Sequence, residues 1–261
     1  MMTHEYQNIP LQRLENDHSN IVSECIVQES IITLHCLNKD GDIQPYVTLL
    51  GTPTAIKQLH AGHLFCEGLT RDIPLFDLIQ EEIEDGKINS YYNSIIIEKP
   101  ENRLVTTSCG ACNHPDLSVV HIHGTPNNVV QNLSHTEVLH ALDSMRKNMS
   151  LFQKTGGCHG AALLDSSRNV AYVSEDIGRH NAVDKTIGQA LISGISSFNE
   201  YTLLLSGRCG WDIVAKATRI GISSIASVGA FSSAALALAR ENGISLYGFV
   251  RESGAWKAGI N

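Results

Sequence analysis

Cys109 and Cys112, in the stretch TTSCGACNHPD at 106–116, are two thiols three positions apart. A pair so spaced can clip a metal, act as a redox couple, or carry sulfur. Structural zinc needs four ligands, and a single CxxC supplies two; His114, His121 and His123 stand near in sequence, but a second CxxC is missing. His121 and His123 alternate along DLSVVHIHG and share one strand face, which reads more simply as a polar face than as a metal grip. A thioredoxin-type pair opens a helix, whereas Thr106-Thr107-Ser108 before this pair and Asn113-His114-Pro115 after it describe a loop. A zinc nucleotide deaminase places H-x-E ahead of P-C-x-x-C. No H-x-E precedes this pair, and the residue before Cys109 is Ser108. The remaining chemistry is that of a group carrier: a loop thiolate attacks a persulfide, holds the terminal sulfur as Cys–S–SH and hands it on, which asks for exposure more than for fixed geometry. A free thiol has a pKa of about 8.5, so a cationic or helix-terminal neighbour is expected to enlarge the thiolate fraction.

The second concentration of chemistry is EDIGRHNAVDKTIGQALI at 175–192. Asn181, with Asp184 three places on, is positioned to cap a helix whose Val183, Ile187 and Leu191 face inward, so that Arg179 and His180 stand at its positive end. Anion recognition is one reading of this turn. Ion pairs among Asp176, Arg179 and Asp184 that lock it are the other, and the residues alone leave both open. His159, entering an apolar strand after Gly156-Gly157-Cys158, is expected to be structural.

These groups need elements to hold them. Ser134 with Glu137 three residues later is a capping box opening a helix over HTEVLHALDSMRKNMSLFQKTG, with Val138, Leu142, Met145 and Met149 as its apolar stripe. HGAALLD and NVAYVSED form a hairpin; TLLLS, SSIASV and SLYGFV then recur about every 22 residues with helices between them, the rhythm of parallel strands with crossover connections. Ligands of such sheets collect beyond the strand carboxyl ends. Here those ends are Ser206-Gly207-Arg208, Gly229-Ala230-Phe231-Ser232 and Phe249 to Gly254, where Arg208 and Arg251 either hold an anion or stand as solvated surface residues, and the residues alone leave both open. Upstream, 1–20 reads as a mobile tail. Ile21 to Val47 reads as a hairpin turning at Asn38-Lys39-Asp40-Gly41. A helix after Pro53 carries Ile56, Leu59, His60, His63 and Leu64 and stops at Gly68, and IQEEIEDG followed by INSYYNSIIIEKP reads as a charged helix end and a strand. The division is a tail at 1–20, an α+β unit at 21–125 and an α/β unit at 126–261.

The length of 261 residues suffices for a full core, with 43% hydrophobic and 18% charged residues. A net charge of −8 argues against general nucleic-acid binding. No apolar run approaches the roughly 20 residues that span a bilayer, and the N-terminus lacks a basic-then-apolar leader, so a cytoplasmic location away from membranes is expected. Seven cysteines at 25, 36, 66, 109, 112, 158 and 209 do not form a secreted framework; five are expected to be small buried hydrophobes, Cys158 and Cys209 among them.

Taken in order, GHLFCEG (62–68), SCGAC (108–112), TGGCHGAAL (155–163), EDIGRHNAVDK (175–185), SGR (206–208) and GFVR (248–251) resemble the formate dehydrogenase accessory sulfurtransferases, the FdhD family. The resemblance implies a three-layer, cytidine-deaminase-like α/β core without the deaminase zinc, a smaller N-terminal α+β domain, a homodimer and no structural metal. It implies that a cysteine desulfurase loads sulfur onto Cys109, with Cys112 assisting. The sulfur then passes to the molybdenum cofactor in its bis-molybdopterin guanine dinucleotide form, which GDP mimics, for the formate dehydrogenase catalytic subunit. Phe249, Val250, Arg251, Glu252, Ser253 and Gly254 correspond to the family's cofactor-binding segment, and Arg179, His180 and Arg208 are further candidates for the phosphates. A cofactor-binding chaperone that needs the pocket but not the cysteines is the alternative.

Overall fold

The computed structural model describes residues 5–15, 18–84, 86–97 and 132–259. Cys109, Cys112, His114, His121, His123 and the expected 125/126 boundary lie outside the described residues. The tail expected over 1–20 is instead largely strand: β1 (Tyr6–Glu15) pairs antiparallel with β2 (His18–Val27) in a two-stranded ribbon. Its register puts Ile9, Leu11, Val22 and Ile26 on one face, a pattern diluted in sequence by Gln7, Arg13, Asn20 and Glu24 on that same face. Pro10 is tolerated because each strand of the ribbon is an edge.

The expected hairpin is present as β3 (Ser30–Leu37) and β4 (Ile43–Gly51), with the Asn38 side chain accepting from the Asp40 and Asp42 N–H groups in its turn. The charged helix end expected at IQEEIEDG is a strand. β5 (Ile79–Glu84) pairs with β6 (Lys87–Ile95), and Gly86 at φ 74° makes the turn, a conformation glycine adopts without strain. Hairpin closure decides here, since the spacing of four between Ile79 and Ile83 fits a helix as well as a strand and only the pairing with β6 separates the two. The resulting sheet runs β4-β3-β6-β5.

Helix α1 (Ile56–Cys66) follows Pro53 as expected and buries Leu59 and Ile56 among Ile32, Leu34, Val47, Leu49 and Ile88 of that sheet. Its other side is buried as well, because α4 (Arg179–Ile192) lies against it. The contact is backbone to backbone: a Cβ on Gly62 would lie 1.8 Å from the Asp184 carbonyl oxygen, and one on Gly188 1.9 Å from that of Gln58. Around it sits a solvent-free charge cluster. Lys216 bridges Asp184 at 2.8 Å and Glu67 at 2.8 Å, Arg219 reaches Glu67, and His63 Nδ1 bonds Asp184 Oδ2 at 3.1 Å.

The second half follows the expected order. α2 (His135–Lys147) opens with the complete Ser134/Glu137 capping box, and α3 (Ser150–Thr155) is a separate short helix where one longer helix was expected. Then come β7 (His159–Leu164), β8 (Val170–Asp176), α4, β9 (Thr202–Leu205), α5 (Trp211–Ile220), β10 (Ser224–Ser227), α6 (Ser233–Glu241), β11 (Ser245–Arg251) and β12 (Gly254–Ala258). The six-stranded sheet runs β12-β11-β10-β9-β7-β8, with β9, β10 and β11 parallel. On one face α2 packs Val138, Leu142 and Met145 onto Ala162, Leu204 and Ala226. On the other, α4, α5 and α6 pack Val183, Ile213 and Ala235 onto Leu203 and Ile225, giving three layers. Cys36, Cys66, Cys158 and Cys209 are buried as expected, while Cys25, on the ribbon, is only half-buried.

Gly62→Ala forces a methyl into the Asp184 carbonyl and should cost about 3 kcal/mol of stability, read by urea denaturation. His60 and His63 carry a pH dependence. Burial pushes the His60 pKa down to about 3 and also lowers that of His63, which the Asp184 hydrogen bond and charge only partly offset. The unfolded chain therefore binds protons that the folded chain refuses, and stability should fall as pH drops below about 6.5 by up to about 1.4 kcal/mol per pH unit per histidine. His60→Phe should flatten that slope in denaturation curves taken from pH 7 to pH 5.

Candidate binding site at the strand ends

The carboxyl ends of β8, β9, β10 and β11 and the start of antiparallel β7 meet at one edge of the six-stranded sheet, as the pairs His159–Asp176, Ala161–Leu205 and Leu205–Ser227 require. A cavity of about 740 Å³ opens there between the sheet edge and α2–α3. Leu139, Leu142, Met145, Met149 and Phe152 make its apolar helix wall, joined by Ile177, Val228 and Val250 from the strand ends. Asp143, Arg146, Cys158, His159, Ser206, Arg251 and Glu252 supply its polar atoms. Its volume and mixed lining are those of a small-molecule site.

The end of β11 is bent to reach it. The pairing with β12 slips between Gly248 and Arg251, and Phe249 adopts φ 50°, rare for a bulky residue. This turns Val250 into the core and leaves Phe249 half exposed. Arg251 then folds back, its Nη1 donating to the carbonyls of Val228 at 2.7 Å and Val250 at 2.8 Å. The imidazole of His135 donates to the Arg251 carbonyl at 2.7 Å, tying α2 to the same bend.

Of the segment expected to bind, Val250, Arg251 and Glu252 line the cavity; Phe249, Ser253 and Gly254 do not. Arg179, His180 and Arg208 are also off its wall, grouped behind His159. Arg208 is exposed, whereas Arg179 lies 3.3 Å from Asp212 Oδ2 and His180 is buried with its Nε2 on that same oxygen. Burial alone would raise the Asp212 pKa; the His180 hydrogen bond and charge, helped by Arg179, win and bring it to about 2. A fixed carboxylate thus already occupies the anion position between α4 and α5.

Asn181 does not cap α4. The cap is three residues earlier, at Gly178, and the Asn181 amide donates to the Leu50 carbonyl at 2.9 Å and to Asp176 Oδ1 at 3.1 Å. Asp176 also takes the Thr52 N–H and pairs with Lys185 at 2.6 Å, while Lys185 donates to the Thr52 carbonyl. The ion pairs expected among Asp176, Arg179 and Asp184 are therefore made to other partners: Lys185, Asp212 and Lys216. Most of EDIGRHNAVDK is a clasp on residues 50–52, and Ile177 and Arg179 are what it holds at the strand ends.

His159 and Cys158 line the cavity, although a structural role was expected for both. Burial lowers the His159 pKa, and Arg179, His180 and Arg208 lower it further, so the ring is neutral at pH 7. The Cys158 thiol donates to Glu175 Oε1 at 3.3 Å, and burial together with that carboxylate drives its pKa far up, which keeps it protonated. Arg146 and Asp143 were not singled out from sequence; the i, i+4 spacing of Asp143 from Leu139 and of Arg146 from Leu142 was the available signal, but nothing in it says which loops α2 will face. Among the described residues no group of three or more His, Cys, Asp or Glu stands in a metal-holding arrangement. The one H-x-E in the chain, His135-Thr136-Glu137, follows the cysteine pair, and its Glu137 is spent on the α2 cap and on Arg168 at 2.7 Å.

Sheet, strand-end cavity and clasp together define a three-layer α/β protein with an open cavity of mixed polar and apolar lining at its parallel strand ends. The family model described as the FdhD/NarQ family matches residues 27–256, and the chain belongs to that family. It is 35% identical over 224 residues to a protein of Picrophilus torridus named sulfur carrier protein FdhD, covering 83% of each chain. It is 34% identical over 236 residues to the protein of that name from Thermoplasma acidophilum, covering 88% of this chain and 83% of the relative. A crystal structure described as a formate dehydrogenase accessory protein from Desulfotalea psychrophila superposes with a TM-score of 0.76 over 98% of both chains at 21% identity, which establishes the shared fold.

In an NMR titration the His159 ring should show a midpoint below about 6.5. Arg179→Ala removes one of the cations that oppose its protonation, so the midpoint should move up.

Proposed function

We propose that this chain is a sulfur carrier for formate dehydrogenase maturation, built on a core of cytidine-deaminase type and working as a homodimer. The Cys109 thiolate attacks the terminal sulfur of a persulfide on a cysteine desulfurase. A sulfur–sulfur bond forms at Cys109, the donor's sulfur–sulfur bond breaks, and the donor cysteine leaves as a thiolate. Cys112 assists. The Cys112 thiolate then attacks the inner sulfur of Cys109–S–SH: a Cys109–Cys112 disulfide forms, the persulfide bond breaks, and the terminal sulfur leaves as sulfide for the bis-molybdopterin guanine dinucleotide form of the molybdenum cofactor, the cargo bound at the strand ends, for the formate dehydrogenase catalytic subunit.

The observation that carries this reading is the position of Val250, Arg251 and Glu252. The segment that the family resemblance assigns to the cofactor stands on the wall of the cavity at the parallel strand ends. The lining suits one nucleotide arm. Its apolar wall takes a ring system, Arg251 offers a held guanidinium to phosphate, and Glu252 can accept from the N–H edge of a guanine. Arg179 and Arg208 extend the positive ground behind His159, and His180 orients Arg179 through Asp212. A chaperone that holds the cofactor without relaying sulfur is favoured by one fact: the cysteine that lines the described cavity, Cys158, is a protonated thiol. Among the described residues, no helix is long and apolar enough to cross a membrane.

Incubation with a cysteine desulfurase and cysteine, followed by peptide mass spectrometry, separates relay from chaperoning. Relay adds one sulfur atom to the Cys109 peptide; a peptide that stays unmodified leaves the chaperone. Cys109→Ala should abolish formate dehydrogenase maturation while GDP affinity changes less than about twofold, since the role proposed for that thiol is sulfur relay and not nucleotide binding.

A further inference from the structure

Two cationic side chains face the strand-end cavity, and they differ in how they are held. The guanidinium of Arg251 is pinned by the Val228 and Val250 carbonyls. That of Arg146, in the last turn of α2, has no hydrogen bond or ion pair among the described residues. A partner stands where a helical arginine usually finds one, since Asp143 lies three residues back on the same surface, yet the two are not paired. Both side chains line the cavity instead, beside a wall of leucine, methionine and phenylalanine. Arg146 is itself exposed, and beside an apolar wall at the surface an uncompensated guanidinium attracts an anion more strongly than in open water, though less than it would in the interior.

We propose that Arg146 is a ligand-contacting residue, the helix-borne arm of a two-arginine grip on a diphosphate whose strand-borne arm is Arg251. The assignment rests on the cavity's being the nucleotide site. Planar guanidinium forks from two different elements suit two linked phosphate groups, because each can engage one group through paired N–H donors. Arg251 is set in place before the ligand arrives. Arg146, on a flexible stem, closes on the phosphates afterwards.

Calorimetry on the full chain, with GDP, guanosine and inorganic pyrophosphate as separate probes, tests the assignment. Arg146→Gln should weaken GDP and pyrophosphate about tenfold or more, the loss expected for a charge-assisted pair, and leave guanosine within about twofold. Arg146→Lys should restore part of the GDP affinity, and Arg168→Gln, which removes an arginine paired to Glu137 away from the cavity, should leave all three probes unchanged. Tight GDP binding by Arg146→Gln overturns the grip alone and spares the nucleotide site. Equal losses of guanosine and GDP also overturn it, because Arg146 would then shape the cavity rather than meet the phosphates. No GDP binding by the unaltered chain removes the nucleotide site and the grip with it.

Discussion

Helices α1 and α4 meet through bare backbone at Gly62 and Gly188, and everything placed at the strand ends depends on how closely they meet. At that separation the flanking side chains have no route to water, so those that carry charge must satisfy one another. Asp184, Lys216, Glu67 and Arg219 do so, with His63 as a neutral donor to Asp184. Burial alone would raise the pKa of Asp184 and of Glu67, yet Lys216 and the other cations around them hold both below the usual carboxylate range. Such a cluster adds little net stability over a well-packed apolar one. Its value is geometric, because charges that cannot be hydrated tolerate one arrangement and penalise every neighbouring one.

From that junction a second set of bonds carries position to the cavity. The clasp of Asp176, Asn181 and Lys185 on residues 50–52 fixes the turn between β8 and α4, so the four-stranded sheet indirectly sets where Ile177 and Arg179 stand. Asp212 continues the chain of bonds from Arg179 and His180 into the first turn of α5. Each link is short, polar and buried, and each joins segments far apart in sequence. The cavity's near wall is thus held from behind, while its far wall, α2, is held by the His135 bond to the bent end of β11 and by Met145 and Leu142 in the core.

Within this frame the chemistry is divided. The cavity offers an apolar wall, a pinned guanidinium at Arg251 and an unpinned one at Arg146, a neutral imidazole at His159 and a protonated thiol at Cys158. That set suits a polar ligand. Among the described residues the cavity's thiol is held protonated, which is why the sulfur chemistry proposed for this chain is assigned to Cys109 and not to Cys158.

The order of the elements was legible in the amino-acid sequence, because it rests on local physics. Short apolar runs about 22 residues apart gave the parallel strands, the Ser134/Glu137 pair gave the start of α2, and the ordered motifs gave the family. Where local signals were ambiguous the tertiary context decided. The ribbon at 6–27 and the strand at Ile79–Glu84 look polar in isolation and become strands because a partner strand completes their hydrogen bonds. Among the site residues, Val250, Arg251 and Glu252 could be named from the strand-end rule alone. His180 could not be told from a ligand contact, since only the fold brings Asp212, 32 positions away, onto its ring. Arg146, Cys158 and His159 needed the docking of α2 and α3 over the sheet edge. Sequence fixes what each segment is able to do through its near neighbours; which groups share a cavity is set by long-range packing, and no spacing along the chain encodes that distance.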